Sequence, residues 1–138
     1  MKTMRIVGVG LWFVLAFACK EDEDVSACMK MEGTWQCQSW KEDGEEFFGD
    51  TIYLVSSEII FKSLTEGQGD YEWNFSYLIG GNQKVIGSYA PNASCDQVTI
   101  TPKGGFASTY DFEISGNDLI LSGVINNIDF ELLFQKQD

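Results

Sequence analysis

Between Gly33 and Lys136 apolar and polar residues alternate with a period of two, in short runs broken by glycine, asparagine and aspartate. Tyr71, Trp73, Phe75 and Tyr77 share one parity, with Glu72, Asn74 and Ser76 between them. Tyr110, Phe112 and Ile114 alternate with Thr109, Asp111 and Glu113, and Ile128, Phe130, Leu132 and Phe134 with Asp129 and Glu131. A period of two sends successive side chains to opposite faces of a strand. One dry face and one wet face is the pattern of antiparallel sheet. Helical periodicity is nearly absent after Cys28, so the folded part reads as all-β.

Eight strands are expected, over Gly33–Lys41, Thr51–Leu64, Asp70–Ile79, Gln83–Ala90, Asp96–Thr101, Ala107–Ile114, Asp118–Val124 and Ile128–Lys136. Gly80-Gly81-Asn82, Ser115-Gly116-Asn117 and Asn126-Asn127 are hairpin turns by composition, because Gly and Asn tolerate positive φ. Connections this short make sequence neighbours into spatial neighbours. The pattern predicts a single antiparallel up-and-down β-barrel, with a two-sheet β-sandwich as the alternative. No internal repeat, proline-rich linker or second domain is visible.

The N-terminus has a different character. Lys2 and Arg5 precede a 13-residue apolar run, Ile6 to Ala18, then Cys19. A basic start, a short apolar stretch and small residues before a cysteine make a secretory signal. The run is short of the about 20 residues that span a bilayer. Leu15-Ala16-Phe17-Ala18-Cys19 resembles the lipobox of bacterial lipoproteins, with Ala16 and Phe17 where Leu and a small residue are commoner. That resemblance implies cleavage before Cys19 and a palmitate-type lipid anchor on it. Lys20 followed by Glu21-Asp22-Glu23-Asp24 resembles the surface-export tag of Bacteroidetes lipoproteins. The same acids would also keep a tether extended and solvated. The expected organisation is a signal peptide at 1–18, a lipidated acidic tether at 19–28 and one domain at 29–138. The expected location is the outer membrane, lipid-anchored and exposed at the cell surface.

The full sequence carries a net charge of −12, and losing Lys2 and Arg5 makes the mature chain more acidic still. Nucleic acid is therefore excluded as a partner, since phosphate binding needs clustered Lys and Arg. Docking on anionic head groups by charge is excluded for the same reason. Three Trp, eight Phe and five Tyr lie beyond the signal, so the core is aromatic-rich.

Glu32-Gly33-Thr34-Trp35 resembles the first-strand motif of lipocalins and related calycins. Tyr110 to Ile114, then Ser115-Gly116-Asn117-Asp118, Leu119-Ile120-Leu121 and Phe130 to Phe134 are similar to the closing strands of short bacterial lipocalin-like domains. The family's later Thr-Asp-Tyr and its Arg near the last strand are absent; the last strand carries Lys136. The resemblance implies that Gly33 and Trp35 sit at the closed base. The connections 42–50, 80–82, 102–106 and 125–127 then ring the open mouth. Phe47, Phe48, Tyr77 and Phe106 are the candidate ligand-binding residues there, with Phe47 and Phe48 alternatively tucked in as core. An eight-stranded barrel is filled by its side chains or holds one small ligand.

Beyond Cys19, an odd number of cysteines remains in an oxidising compartment: Cys28, Cys37 and Cys95. Cys28 and Cys95 both fall near the base. Cys37 shares parity with Trp35 and lies roughly 13 Å along the strand, which predicts a buried thiol. The expected disulfide is Cys28–Cys95, with Cys37–Cys95 as the competitor.

The chain has no histidine, which removes the commonest general base and most zinc sites. Gly67-Gln68-Gly69 lacks a following helix and reads as a turn. Asp111 with Glu113, and Asp129 with Glu131, face away from the aromatic side as solvated surface. Glu45 and Glu46 form no legible calcium cage. Asp50-Thr51-Ile52 resembles a short Bacteroidetes O-glycosylation motif but reads first as the start of the second strand. No catalytic residue, metal or cofactor is expected. The sequence predicts a membrane-anchored, non-enzymatic barrel binding a small apolar or amphipathic ligand. The alternative is a solid-core interaction or inhibitor protein docking a protein or glycan through its loops and acidic face.

Overall fold

The computed structural model describes residues 28–48 and 54–138. The signal segment, Cys19, tether residues 19–27, the Asp50-Thr51-Ile52 motif and the first three residues of the expected second strand lie outside the described residues. Nine strands follow in order: β1 (Gly33–Glu42), β2 (Glu45–Glu46), β3 (Leu54–Phe61), β4 (Gly69–Tyr77), β5 (Gly81–Pro91), β6 (Gln97–Pro102), β7 (Ser108–Ser115), β8 (Asp118–Ile125) and β9 (Ile128–Lys136). Each pairs antiparallel with its neighbours, and β1 also pairs with β9. That last ladder, Trp35↔Lys136 to Glu42↔Phe130, closes eight strands into a barrel and excludes the sandwich.

Strand ends shift by one to three residues at several places, such as β4 ending at Tyr77 and β5 spanning Gly81–Pro91, and two departures bear on the site. The segment after β1 is not a plain loop: Glu45–Glu46 fold back onto Lys41 and Glu42 as β2. Asp43 and Gly44 both have positive φ, 49° and 82°, which is the type I′ hairpin turn that Asp-Gly favours. β3 ends at Phe61 rather than Leu64, because Lys62 N–H bonds Asp70 O and a tight Thr65–Gln68 bridge takes over. Gly67 belongs to that turn. Asn126 and Asn127, both at positive φ, close the β8–β9 hairpin as expected.

The two ends of the barrel are packed differently. At the end where β1 begins, Met31, Trp35, Phe61, Tyr71, Tyr89, Val98, Leu119 and Phe134 are fully buried and fill the interior. Trp35 crosses this base; its Nε1–H donates to Met31 O at 2.7 Å. Lys136 Nζ lies 5.2 Å from the Trp35 ring centroid, a cation–π contact. Gly33, at φ +127°, makes room for it: a Cβ there would stand 3.0 Å from Lys136 Cε.

The base is also covalently tied. Cys28 and Cys95 form a disulfide, Cα–Cα 5.2 Å, linking the turn before β1 to the β5–β6 connection across 67 residues. In the chain-entropy account such a link stabilises by about 4 kcal/mol. Cys37 is the free, buried cysteine among the described residues, and burial pushes its thiol up to about 12. Among the described residues one polar side chain, Ser57, is fully buried, and its Oγ accepts the Trp73 Nε1–H at 2.7 Å.

β5 and β6 cross most closely at Gly87, where a Cβ would lie 2.0 Å from Thr101 O. A glycine there lets the sheet turn its corner. Gly87→Ala should cost about 2 to 3 kcal/mol of stability, read from the denaturant midpoint. An unshifted midpoint would show that the backbones are not forced together at this residue.

Candidate ligand-binding site at the barrel mouth

Above the filled base the interior becomes aromatic and half-exposed. β4 carries Trp73, Phe75 and Tyr77 at alternate positions, so their rings climb one inner face from core to rim. Trp73 and Phe75 stack at 5.2 Å between centroids, and Phe75 and Tyr77 at 6.3 Å. Trp40, from the far end of β1, closes on this ladder at 5.9 Å from Trp73 and 6.2 Å from Phe75. Tyr110 and Ile114 of β7, Val85 of β5 and Phe48 pack against the same core while remaining partly exposed. Burial raises the Tyr110 phenol above its ordinary value, so it stays a neutral hydroxyl.

Trp40 reaches the interior because the β1–β9 register shifts between Cys37 and Ser39. Strict alternation from Trp35 puts Ser39 inside and Trp40 outside. The bulge adds one residue and reverses that parity beyond it.

Glu46 fixes the rim next to Trp40. Its carboxylate accepts the Trp40 amide at 2.8 Å, the Phe48 amide at 3.1 Å and the Ser39 hydroxyl. Phe47 N–H donates to Trp40 O at 2.6 Å. Desolvation pushes the Glu46 carboxyl up, but the bonds from Ser39, Trp40 and Phe48, with the charge of Lys41, outweigh it and hold the group below its ordinary value. Both Glu46 oxygens are thus engaged by protein donors.

The expected site residues are placed as follows. Phe47 and Phe48 follow the mouth end of β1 and Tyr77 ends β4, whereas Phe106 lies on a β6–β7 loop that leaves β5 at the level of Gly87. Phe48 packs on the core, Tyr77 stacks on Phe75, Phe47 is 38 % exposed and Phe106 is 96 % exposed on the β6–β7 loop. The described ring contacts join Tyr77 to Trp73, Phe75 and Trp40, and do not include Phe106. Trp73 and Phe75 were legible as the inner face of β4, but sequence reasoning did not assign them to the site. Trp40 was hidden by the bulge, and Glu46 by the β2 turn. The carboxylate pairs stay apart: Asp111 bonds Gln97 at 2.9 Å on β7, Glu131 lies 3.6 Å from Lys41 on β9, and β8 runs between. Among the described residues no three acidic or cysteine groups converge on a metal site.

A family model for a lipocalin-like domain matches residues 31–121. The chain belongs to the lipocalin-like domain family. The match begins just before Trp35 and ends at Leu121 in β8. No curated protein matches the chain. Among solved structures, a redesigned β-barrel is similar at 15 % identity and a TM-score of 0.60, covering 81 % of this chain and 96 % of its own. A de novo designed fluorescence-activating β-barrel is similar at 14 % identity and a TM-score of 0.56, covering 80 % and 97 %. At such identities these likenesses concern the fold alone.

A depressed carboxyl stabilises above its ordinary value and loses that contribution as pH falls through its lower native value. The Glu46 rim should therefore loosen below about pH 4.3, the ordinary carboxylate value. Amide protection at Trp40 and Phe48, corrected for the intrinsic pH dependence of exchange, should fall across that window, and Glu46→Ala should show low protection at every pH. The same acid response in Glu46→Ala would show that another group holds the rim.

Proposed function

We propose that this lipocalin-like protein is a non-enzymatic, membrane-anchored carrier of a small apolar or amphipathic molecule. The observation that carries the reading is the aromatic ladder that runs from buried Trp73 to partly exposed Trp40, Phe75 and Tyr77 above a filled base. Partly exposed rings on rigid strands offer stacking faces that a planar or apolar guest can cover. The filled base restricts the guest to the upper half of the barrel, which favours a small one. Anchoring through lipid on Cys19, with export to the cell surface by the acidic tag, follows from the N-terminal sequence pattern.

One observation favours a second reading, docking of another macromolecule. Leu78 and Ile79, adjacent in the β4–β5 turn, are strongly exposed, as is Phe106 on the β6–β7 loop. Clustered exposed apolar residues mark interaction sites when they are contiguous.

Native mass spectrometry of the protein purified from its own cells separates the two. A co-purifying small mass, released on denaturation, is expected. Trp40→Ala should weaken uptake of a fluorescent fatty acid about tenfold, equivalent to about 1.4 kcal/mol. A bare polypeptide that takes up no probe would favour the docking reading. The anchor has its own test: the mature N-terminal peptide should carry acyl mass on Cys19, and Cys19→Ala should release the protein from the membrane fraction. An unmodified Cys19 would overturn the anchor.

A further inference from the structure

A second feature lies on the barrel wall, beside β5. β5 pairs with β4 along nine positions, Gly81↔Tyr77 to Tyr89↔Gly69. Its ladder with β6 covers only Gly87↔Pro102 to Pro91↔Val98. The last bond on that side runs from Lys103 N–H to Ile86 O at 2.8 Å. The chain then turns away, with Gly105 N–H on Pro102 O at 2.9 Å and Gly104 at φ +76°. Main-chain groups alternate between the two edges of a strand. Since Ile86 faces β6, Lys84 and Asn82 face the same way. Among the described residues no strand meets their N–H and C=O groups.

An open concavity of about 820 Å³ adjoins this edge, lined by Lys84, Ile86, Lys103 and Gly104 and, across β4, by Lys62 and Glu72. Three of the nine basic residues of a chain with net charge −12 therefore line one surface. Glu72 lies 3.1 Å from Lys62 and 2.9 Å from Lys84, so two cations share one carboxylate. Lys103 has no ion pair among the described residues.

We propose that this edge accepts an extended strand of a partner protein, with acidic side chains on its outward positions. The unmet groups are two donors and two acceptors at strand spacing, which an extended backbone satisfies by β-augmentation. On a guest strand, alternate side chains would fall on the outer face beside Lys84 and Lys103, where carboxylates are complementary. A second copy of β5 is disfavoured, because it would bring one lysine-bearing edge against another, the device that blunts self-pairing of edges. The inference does not depend on the mouth holding a ligand.

The test is an amide NMR titration of the disulfide-intact protein with a capped eight-residue peptide of alternating valine and glutamate. Shifts at Asn82, Lys84 and Lys103 are expected, with slowed hydrogen exchange of the Asn82 and Lys84 amides. Lys84→Pro should weaken binding at least tenfold while sparing the β4 ladder, because the Lys84 N–H points away from β4. Lys103→Glu should weaken it similarly without touching any strand, so the test survives if the proline variant fails to fold. Equal binding by a valine–lysine peptide would overturn the proposal, as would unshifted Asn82 and Lys84 amides. Two further outcomes overturn it: concentration-dependent dimerisation through β5, and a sulfated oligosaccharide that shifts the lysines more strongly than the peptide without protecting the amides.

Discussion

The pairing of β1 with β9 is the constraint on which the rest of this structure depends. Every other ladder joins strands adjacent in sequence or, for β1 and β3, separated only by the two-residue β2, at low loop-closure cost. Only Trp35↔Lys136 to Glu42↔Phe130 brings the two ends of the domain together. Without it the sheet would keep two bare edges and an uncovered apolar face. The same ladder sets Lys136 over the Trp35 ring and contains the bulge that turns Trp40 inward. Closure, the sealed base and the aromatic mouth are thus consequences of one register.

That register produces a molecule with two unlike ends. The base is dry, filled and cross-linked, with Trp35 spanning it and Cys28–Cys95 pinning the entering chain. The mouth keeps its rings half-covered, and its rim is held by a single exposed carboxylate, Glu46, on three donors. Stability concentrated at one end leaves the other free to be locally weak, which is where binding segments are drawn from. The wall has a weakness of its own, because β6 leaves β5 at Lys103 without reaching the first half of β5.

The likeness to designed barrels at 14 to 15 % identity bears on the origin of the fold. Different sequences reach the same closed antiparallel wall through alternating polarity, a glycine at a corner and a bulge that sets curvature. Gly87 and the Cys37/Ser39 bulge are those devices here. Function therefore has to be sought in what this chain adds to the wall: the Trp40–Trp73–Phe75–Tyr77 ladder, the Glu46 rim and the lysine-lined β5 edge.

Alternation, turn composition and parity by themselves determined the eight barrel strands, their order, the inward face of β4 and the burial of Cys37, but not the short β2. These are local properties, read from a period of two and from residues that tolerate positive φ. Placing Cys28 and Cys95 at one end needed only the up-and-down order. Tertiary structure alone decided the rest. A one-residue bulge reverses side-chain parity without changing composition, so Trp40 was unreadable as an interior ring. The Asp43–Gly44 turn carries Glu46 back onto the Trp40 amide of β1 and the Ser39 hydroxyl. The premature end of the β5–β6 ladder depends on where two strands diverge in space. A sequence period fixes which face a side chain takes, but register between strands is set by pairing, and pairing is a property of the closed barrel.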